Sequence, residues 1–174
     1  MNEVPTPVNE DRLPYQQRCG FVALVGAPNA GKSTLLNQLV GTKVSIVSPK
    51  VQTTRTRVRG IVMTEDAQLV FIDTPGIFAP KRRLDRAMVK AAWNGADDAD
   101  LVVLVIDAGA GITEEVRAII DQLKTQNRKA ILAMNKVDKV ADKEKLLRLS
   151  QEFFAEEVFT DVFMISAKKG SGTQ

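Results

Sequence analysis

The run Gly26-Ala27-Pro28-Asn29-Ala30-Gly31-Lys32-Ser33 places a lysine and a hydroxyl directly after a glycine. Its spacing is that of G-x-x-x-x-G-K-[ST], a loop that wraps phosphates. Gly26 and Gly31 admit backbone angles that let successive N–H groups turn inward toward an anion. Lys32 brings a full positive charge for β- and γ-phosphates, and the Ser33 hydroxyl can ligate Mg²⁺. Thr34 completes the phosphate-facing stretch where a helix should begin, its partial positive end aimed at the same spot. A plain glycine turn between strand and helix would use similar residues, so the motifs downstream decide between the two readings.

Three further motifs occur in order along the chain. The first is Asp73-Thr74-Pro75-Gly76, at the end of the apolar run Leu69-Val70-Phe71-Ile72. A carboxylate at a strand's C-terminal end sits where open α/β sheets bind ligands. Asp73 is expected to hold Mg²⁺ through a water, and the Gly76 N–H to reach a γ-phosphate, making the loop after it a sensor of hydrolysis. The second, Asn135-Lys136-Val137-Asp138, suits guanine. Guanine offers N1–H and a 2-amino group, and the acceptor-only carboxylate of Asp138 can take both. Adenine would leave that charge unpaired, at a cost of about 2–3 kcal/mol. Asn135 can bond the base edge and neighbouring loops, and the aliphatic stem of Lys136 can cover the base. The third is the turn Ser166-Ala167-Lys168, whose Ala167 N–H is expected to meet guanine O6. Together the motifs predict magnesium-dependent binding and hydrolysis of GTP.

A magnesium-sensing segment should lie between the first helix and Asp73. Thr54, in Val51-Gln52-Thr53-Thr54-Arg55, is the candidate ligand, with Thr53 as its substitute and a solvated loop as the other reading. The switch and catalytic set is then Lys32, Thr54, Asp73, Gly76 and Ile77. Ile77 marks a gap, because many small GTPases carry there a Gln that orients the attacking water. Isoleucine cannot do so, and the chain has no His to serve as a base.

The elements that must position these residues are set by apolar runs and punctuation. Strands are expected at 21–25, 57–63, 68–72, 101–106, 130–134 and 162–165, and helices at 32–40, 84–95, 114–125 and 143–155. The short turn Thr64-Glu65-Asp66 makes the second and third strands an antiparallel hairpin. Strands alternating with helices elsewhere imply an α/β fold of the P-loop NTPase kind. Its sheet is six-stranded and mostly parallel, with one antiparallel strand and helices on both faces. The helix at 143–155 shows Leu146, Leu147, Leu149, Phe153 and Phe154 on one broad apolar side, and Met88 and Trp93 read as core contacts of their own helix.

Composition is compatible with one soluble globular domain: 174 residues, 44% hydrophobic and 26% charged, with a net charge of +3. The single Cys19 excludes an internal disulfide and any multi-cysteine zinc site, and fits a reducing cytoplasm. No apolar run approaches the ~20 residues of a membrane span. Residues 1–18, with Pro5, Pro7 and Pro14, lack the features of a secretion signal and are expected to form a flexible arm. Residues 19–170 are the expected domain and 171–174 a tail. Two basic clusters flank the sensing loops, Lys50, Arg55, Arg57 and Arg59 beside the first and Lys81, Arg82, Arg83 and Arg86 after the second. They read either as contacts to RNA phosphates or as solvated faces.

From about Phe21 to Lys169 the chain resembles the GTPase domain of the Era family, bacterial GTPases of ribosome assembly. The narrower signals are the stretch Lys43-Val44-Ser45-Ile46-Val47-Ser48-Pro49-Lys50-Val51-Gln52-Thr53-Thr54-Arg55, and Asp73-Thr74-Pro75-Gly76-Ile77 with Lys81, Leu84, Met88, Val89 and Ala91 after it. The resemblance implies a role in small ribosomal subunit assembly and 16S rRNA maturation. In the family a C-terminal KH domain binds the rRNA; here that domain and the last helix of the GTPase fold are expected to be absent, since the chain stops soon after Lys168. It implies a cytoplasmic protein with peripheral contact at the inner membrane. It also gives Asn29 a second reading beside that of a turn residue: in related GTPases with a Pro-Asn phosphate loop, the matching Asn helps hold a K⁺ ion in place of an arginine finger. Two functional classes stay open, a GTP-hydrolysing switch and a nucleotide-gated binding module with negligible turnover. Another ribosome- or tRNA-associated GTPase is the alternative within the first.

Overall fold

The computed structural model describes residues 18–47, 58–64, 67–78 and 83–174. Residues 1–17 of the expected arm, both threonine candidates Thr53 and Thr54, and the basic residues Lys50, Arg55, Arg57, Lys81 and Arg82 lie outside them, whereas Arg18 belongs to the sheet. The chain runs β1 (Arg18–Val25), α1 (Lys32–Val40), β2 (Val58–Met63), β3 (Ala67–Asp73), α2 (Arg83–Asp97), β4 (Leu101–Asp107), α3 (Glu114–Thr125), β5 (Ala130–Asn135), α4 (Lys143–Phe154) and β6 (Phe159–Met164). A single turn of 3₁₀ helix, Val137–Lys139, interrupts the path from β5 to α4.

The strands form one six-stranded sheet in the order β2-β3-β1-β4-β5-β6. All pairs are parallel except β2 with β3, which form the expected hairpin. Its turn is closed where the Thr64 N–H donates to the Ala67 carbonyl at 2.8 Å.

Apolar residues on alternate sides of the strands feed two cores. One packs Ala23, Val25, Leu104, Ile106, Leu132 and Met134 of the sheet beneath α2, α3 and α4. The other packs Val22, Leu24, Phe71 and Val105 against Leu35 and Leu36 of α1. Both faces are therefore covered, as the buried parallel strands require. Met88 is buried, and the partly buried Trp93 packs against the first core.

Element boundaries depart from the sequence reading where apolarity is a poor guide. β1 begins at Arg18, ahead of the apolar run at Phe21, because Arg18, Cys19 and Gly20 pair with Ala67, Gln68 and Leu69. β6 begins at Phe159 and stops at Met164, one residue short of Ile165; it is an edge strand, and exposed Thr160 and Asp161 hide its start. α2 passes through buried Gly95 and continues to Asp97. On α4 only Leu146, Leu149 and Phe153 are buried; Leu147 and Phe154 are 57% and 53% exposed, so the apolar side is narrower than its composition suggests.

Candidate nucleotide site

The phosphate loop leaves the end of β1 and enters α1. Gly26 and Gly31 take φ of 151° and 104°, and a Cβ on either would come within 2.2 Å of the Val105 carbonyl oxygen or the Asn135 amide. Only glycine fits, for conformation and for space. Asn29 sits at φ 60°, a left-handed position that asparagine tolerates, which accounts for its type by backbone alone. Ala27 and Pro28 are half-buried, Ala30 is buried, and Thr34 is half-buried in the first turn of α1. Gly31 caps that helix with no side-chain hydrogen bond, leaving the first-turn N–H groups without a side-chain cap, as an anion site requires.

Lys32 is 6% exposed and folds its ammonium back over the loop, donating to the carbonyls of Gly26 at 3.0 Å and Ala27 at 2.9 Å. Burial lowers its pKa to about 8, and the charge of Asp73 opposes that shift. The Ser33 hydroxyl donates to Asp73 Oδ2 at 2.6 Å, so the two expected metal ligands are adjacent. A hydroxyl and a carboxylate are hard oxygen donors suited to Mg²⁺, which completes its shell with phosphate oxygens and water. Among the described residues there is no group of three or more His, Cys, Asp or Glu that could hold a metal ion.

The loop after β3 is tied to the phosphate loop. The Thr74 hydroxyl, fully buried, donates to the Leu24 carbonyl at 2.7 Å, and the Ile77 N–H donates to the Gly26 carbonyl at 3.0 Å. A Cβ on Gly76 would meet Pro28 at 2.9 Å, so this backbone needs glycine to approach the loop so closely. The Ile77 side chain is 4% exposed and belongs to the core beneath α2 and α3.

The base-reading motifs are joined to the phosphate loop by side chains. Asn135 is 2% exposed; its amide donates to the Ala30 carbonyl at 2.9 Å, and its Oδ1 accepts from Ala167 N–H at 2.9 Å and Lys136 N–H at 2.8 Å. A contact from Ala167 to guanine O6 would share that N–H. Lys136 takes φ 64°, and its ammonium bonds the Asn29 carbonyl at 2.6 Å and Asp107 Oδ2 at 2.7 Å. Burial pushes the Asp107 carboxyl up, but the Lys136 hydrogen bond, the Gly109 N–H, the Lys136 charge and the Ala110 N–H outweigh it and leave the pKa below the ordinary value. Asp138 is exposed and aimed by Ser166, whose hydroxyl donates to its Oδ1 at 2.6 Å. That bond is the main reason the Asp138 carboxyl titrates below its usual range, keeping it an acceptor at neutral pH. Ser166 is buried, and Lys168 is exposed beside it.

Three contributors escape the sequence reading. Asp107 ends an apolar strand as Asp73 does, and that position is the signal that could have found it. Thr74 and Ser45 carry no signal beyond lying inside the motif stretches. Of the basic clusters, Arg59, Arg83 and Arg86 are described and exposed.

A phosphate loop, a carboxylate-bearing sensor loop and a base-reading pair on a P-loop sheet define a guanine nucleotide-binding domain. The family model described as 50S ribosome-binding GTPase matches residues 21–136, and the chain belongs to that family. Within it the similarity is to proteins named GTPase Era. The one from Brucella melitensis is 55% identical over 172 residues, 99% of this chain and 55% of that protein. A solved Era structure, in complex with MgGDPNP and nucleotides 1506–1542 of 16S ribosomal RNA, is 42% identical with a TM-score of 0.83, covering 89% of this chain and 53% of that one. Aquifex aeolicus Era, a variant bound to GDP and AlF₄⁻, is 42% identical with a TM-score of 0.82, over 88% of this chain and 53% of that one. The chain thus spans about half the length of the Era proteins it matches. The Era resemblance read from the motifs agrees with these findings.

Proposed function

We propose that the chain binds GTP with Mg²⁺ and hydrolyses it to GDP and phosphate, as a switch in small ribosomal subunit assembly. The observation that carries this reading is the stitching of the two half-sites by Asn135 and Lys136, which bond Ala30 and Asn29 of the phosphate loop from the base-reading motif. One frame then holds phosphates at one end and guanine at the other.

In this reading the loop N–H groups and Lys32 hold the β- and γ-phosphates, and Lys32 exchanges its two carbonyl bonds for phosphate oxygens. Ser33 would ligate Mg²⁺ and Asp73 would hold it through a water, with Thr54 as the further ligand when the γ-phosphate is present. The bound metal neutralises charge developing between the β- and γ-phosphates. The Gly76 N–H reports the γ-phosphate to the adjoining loop. Asp138, aimed by Ser166, takes guanine N1–H and the 2-amino group.

Since the Ile77 side chain is committed to the core, hydrolysis would rely on backbone groups, Lys32, Mg²⁺, an ion or a partner. The ion would be K⁺, held with the help of Asn29. Phosphate release over many turnovers is therefore faster in K⁺ than in Na⁺ at matched ionic strength; equal rates reject the potassium part. No turnover in either salt, with or without ribosomal particles, leaves a nucleotide-gated binding module, the reading that the burial of Ile77 favours as second.

The solved Era–16S rRNA complex supports small-subunit rRNA as the proposed partner, and exposed Arg59, Arg83 and Arg86 supply positive charge here. The setting proposed is the cytoplasm, with peripheral contact at the inner membrane. Among the described residues no helix is long and apolar enough to cross a membrane.

A further inference from the structure

Ser45 has no part in the nucleotide reading, yet it is 3% exposed between Val44 at 37% and Ile46 at 67%, in a stretch without regular secondary structure. A buried hydroxyl is costly unless bonded. This one donates to Asp73 Oδ2 at 2.7 Å, the oxygen that also accepts from Ser33 at 2.6 Å. Its backbone is fixed from elsewhere. Asn37 of α1 accepts from the N–H groups of Val44 at 2.9 Å and Ser45 at 2.8 Å, and donates to the Ser45 carbonyl at 2.9 Å. One amide therefore clamps both sides of Ser45 to the helix that carries Ser33.

From this geometry we infer that Ser45, clamped by Asn37, is a positioning residue for the magnesium site. It fixes the orientation of the Asp73 carboxylate, which would hold Mg²⁺ through a water. The inference rests on the nucleotide reading above. Ser33 and Ser45 bond the same oxygen but differ in what metal binding asks of them. Ser33 would offer an oxygen lone pair to the metal, and its hydrogen can stay on Asp73, since a hydroxyl carries both. Ser45 is held by Asn37 and keeps donating. A hydrogen-bond partner of a metal-binding carboxylate sets its orientation, and losing such a partner costs roughly 10–100-fold in metal affinity.

The test is calorimetric titration of the whole chain with GDP, in EDTA and across a Mg²⁺ series, for wild type, Ser45→Ala and Asn37→Ala. Ser45→Ala is expected to bind GDP in EDTA as wild type does, but to need about tenfold more Mg²⁺ to reach the tightened state. Asn37→Ala should shift the Mg²⁺ midpoint in the same direction. A merely structural role would weaken binding equally in EDTA and in Mg²⁺. An unchanged midpoint in Ser45→Ala overturns the inference, as does a lower one, which would make Ser45 a competitor of the metal. If Ser45→Ala loses GDP binding in EDTA too, Asn37→Ala decides by the same criterion. Wild type that binds no GDP, or ignores Mg²⁺, overturns the nucleotide reading and this inference with it.

Discussion

A lysine buried among carbonyls works against its own charge, and Lys32 shows the consequence. With its pKa lowered to about 8 by burial, Lys32 in the free protein starts to lose its proton within an ordinary buffer range. Phosphate oxygens draw that proton back. GDP affinity is therefore expected to fall as pH rises above about 8, and binding near that pH should take up protons. Titration in two buffers of different ionisation enthalpy measures the uptake; none at this pH would contradict the assignment. Stability of the free protein moves the other way. Between about 8 and the ordinary 10.5 the unfolded chain holds more protons than the native one, so native stability rises with pH across that window. The residues legible from sequence are those whose chemistry fits a short local pattern: Lys32, Ser33, Asp73, Asn135 and Asp138. Ser45, Thr74 and Asp107 act through partners 28, 50 and 29 positions away, contacts that only the folded chain creates.

Among the elements, α4 best separates what periodicity tells from what packing decides. Five apolar residues spread over more than one stripe of this helix, and the neighbours cover only one of them. Phe153 is fully buried and meets the ring of Phe159 edge-on, with centroids 5.7 Å apart. Phe154 is 53% exposed. Phe153→Ala should cost about 3–5 kcal/mol in chemical denaturation, and Phe154→Ala should stay within about 0.5 kcal/mol of wild type. Equal losses would mean that the helix is rotated from the orientation described. The sequence shows that an amphipathic helix lies here, because its period is local. Which edge of the stripe is buried depends on β6 and α3, so it is not written in the helix. The same holds for β1, whose polar first residues become strand only by pairing with β3.

At the scale of the whole molecule, sheet order assembles the site. Placing β1 between β3 and β4 sets Leu24 opposite Asp73, next to the phosphate loop, and pairing β4 with β5 sets Asp107 opposite Asn135. The loops that leave these strands therefore meet along one edge, at the carboxyl ends where α/β sheets bind ligands. Motifs far apart along the chain thus become one surface, and the alternation of strands and helices was enough to foresee that edge. The central claim is that this surface reads guanine through Asp138. Its most direct test is calorimetric titration with GDP, ADP and XDP in Mg²⁺ buffer, for wild type and Asp138→Asn. Wild type should bind GDP and bind ADP roughly 100-fold more weakly or not at all, since adenine gives the carboxylate no paired donors. Asp138→Asn should weaken GDP and favour XDP, because an amide can donate to the 2-oxo group of xanthine. Equal binding of GDP and ADP by wild type, or GDP affinity untouched in Asp138→Asn, would contradict the account.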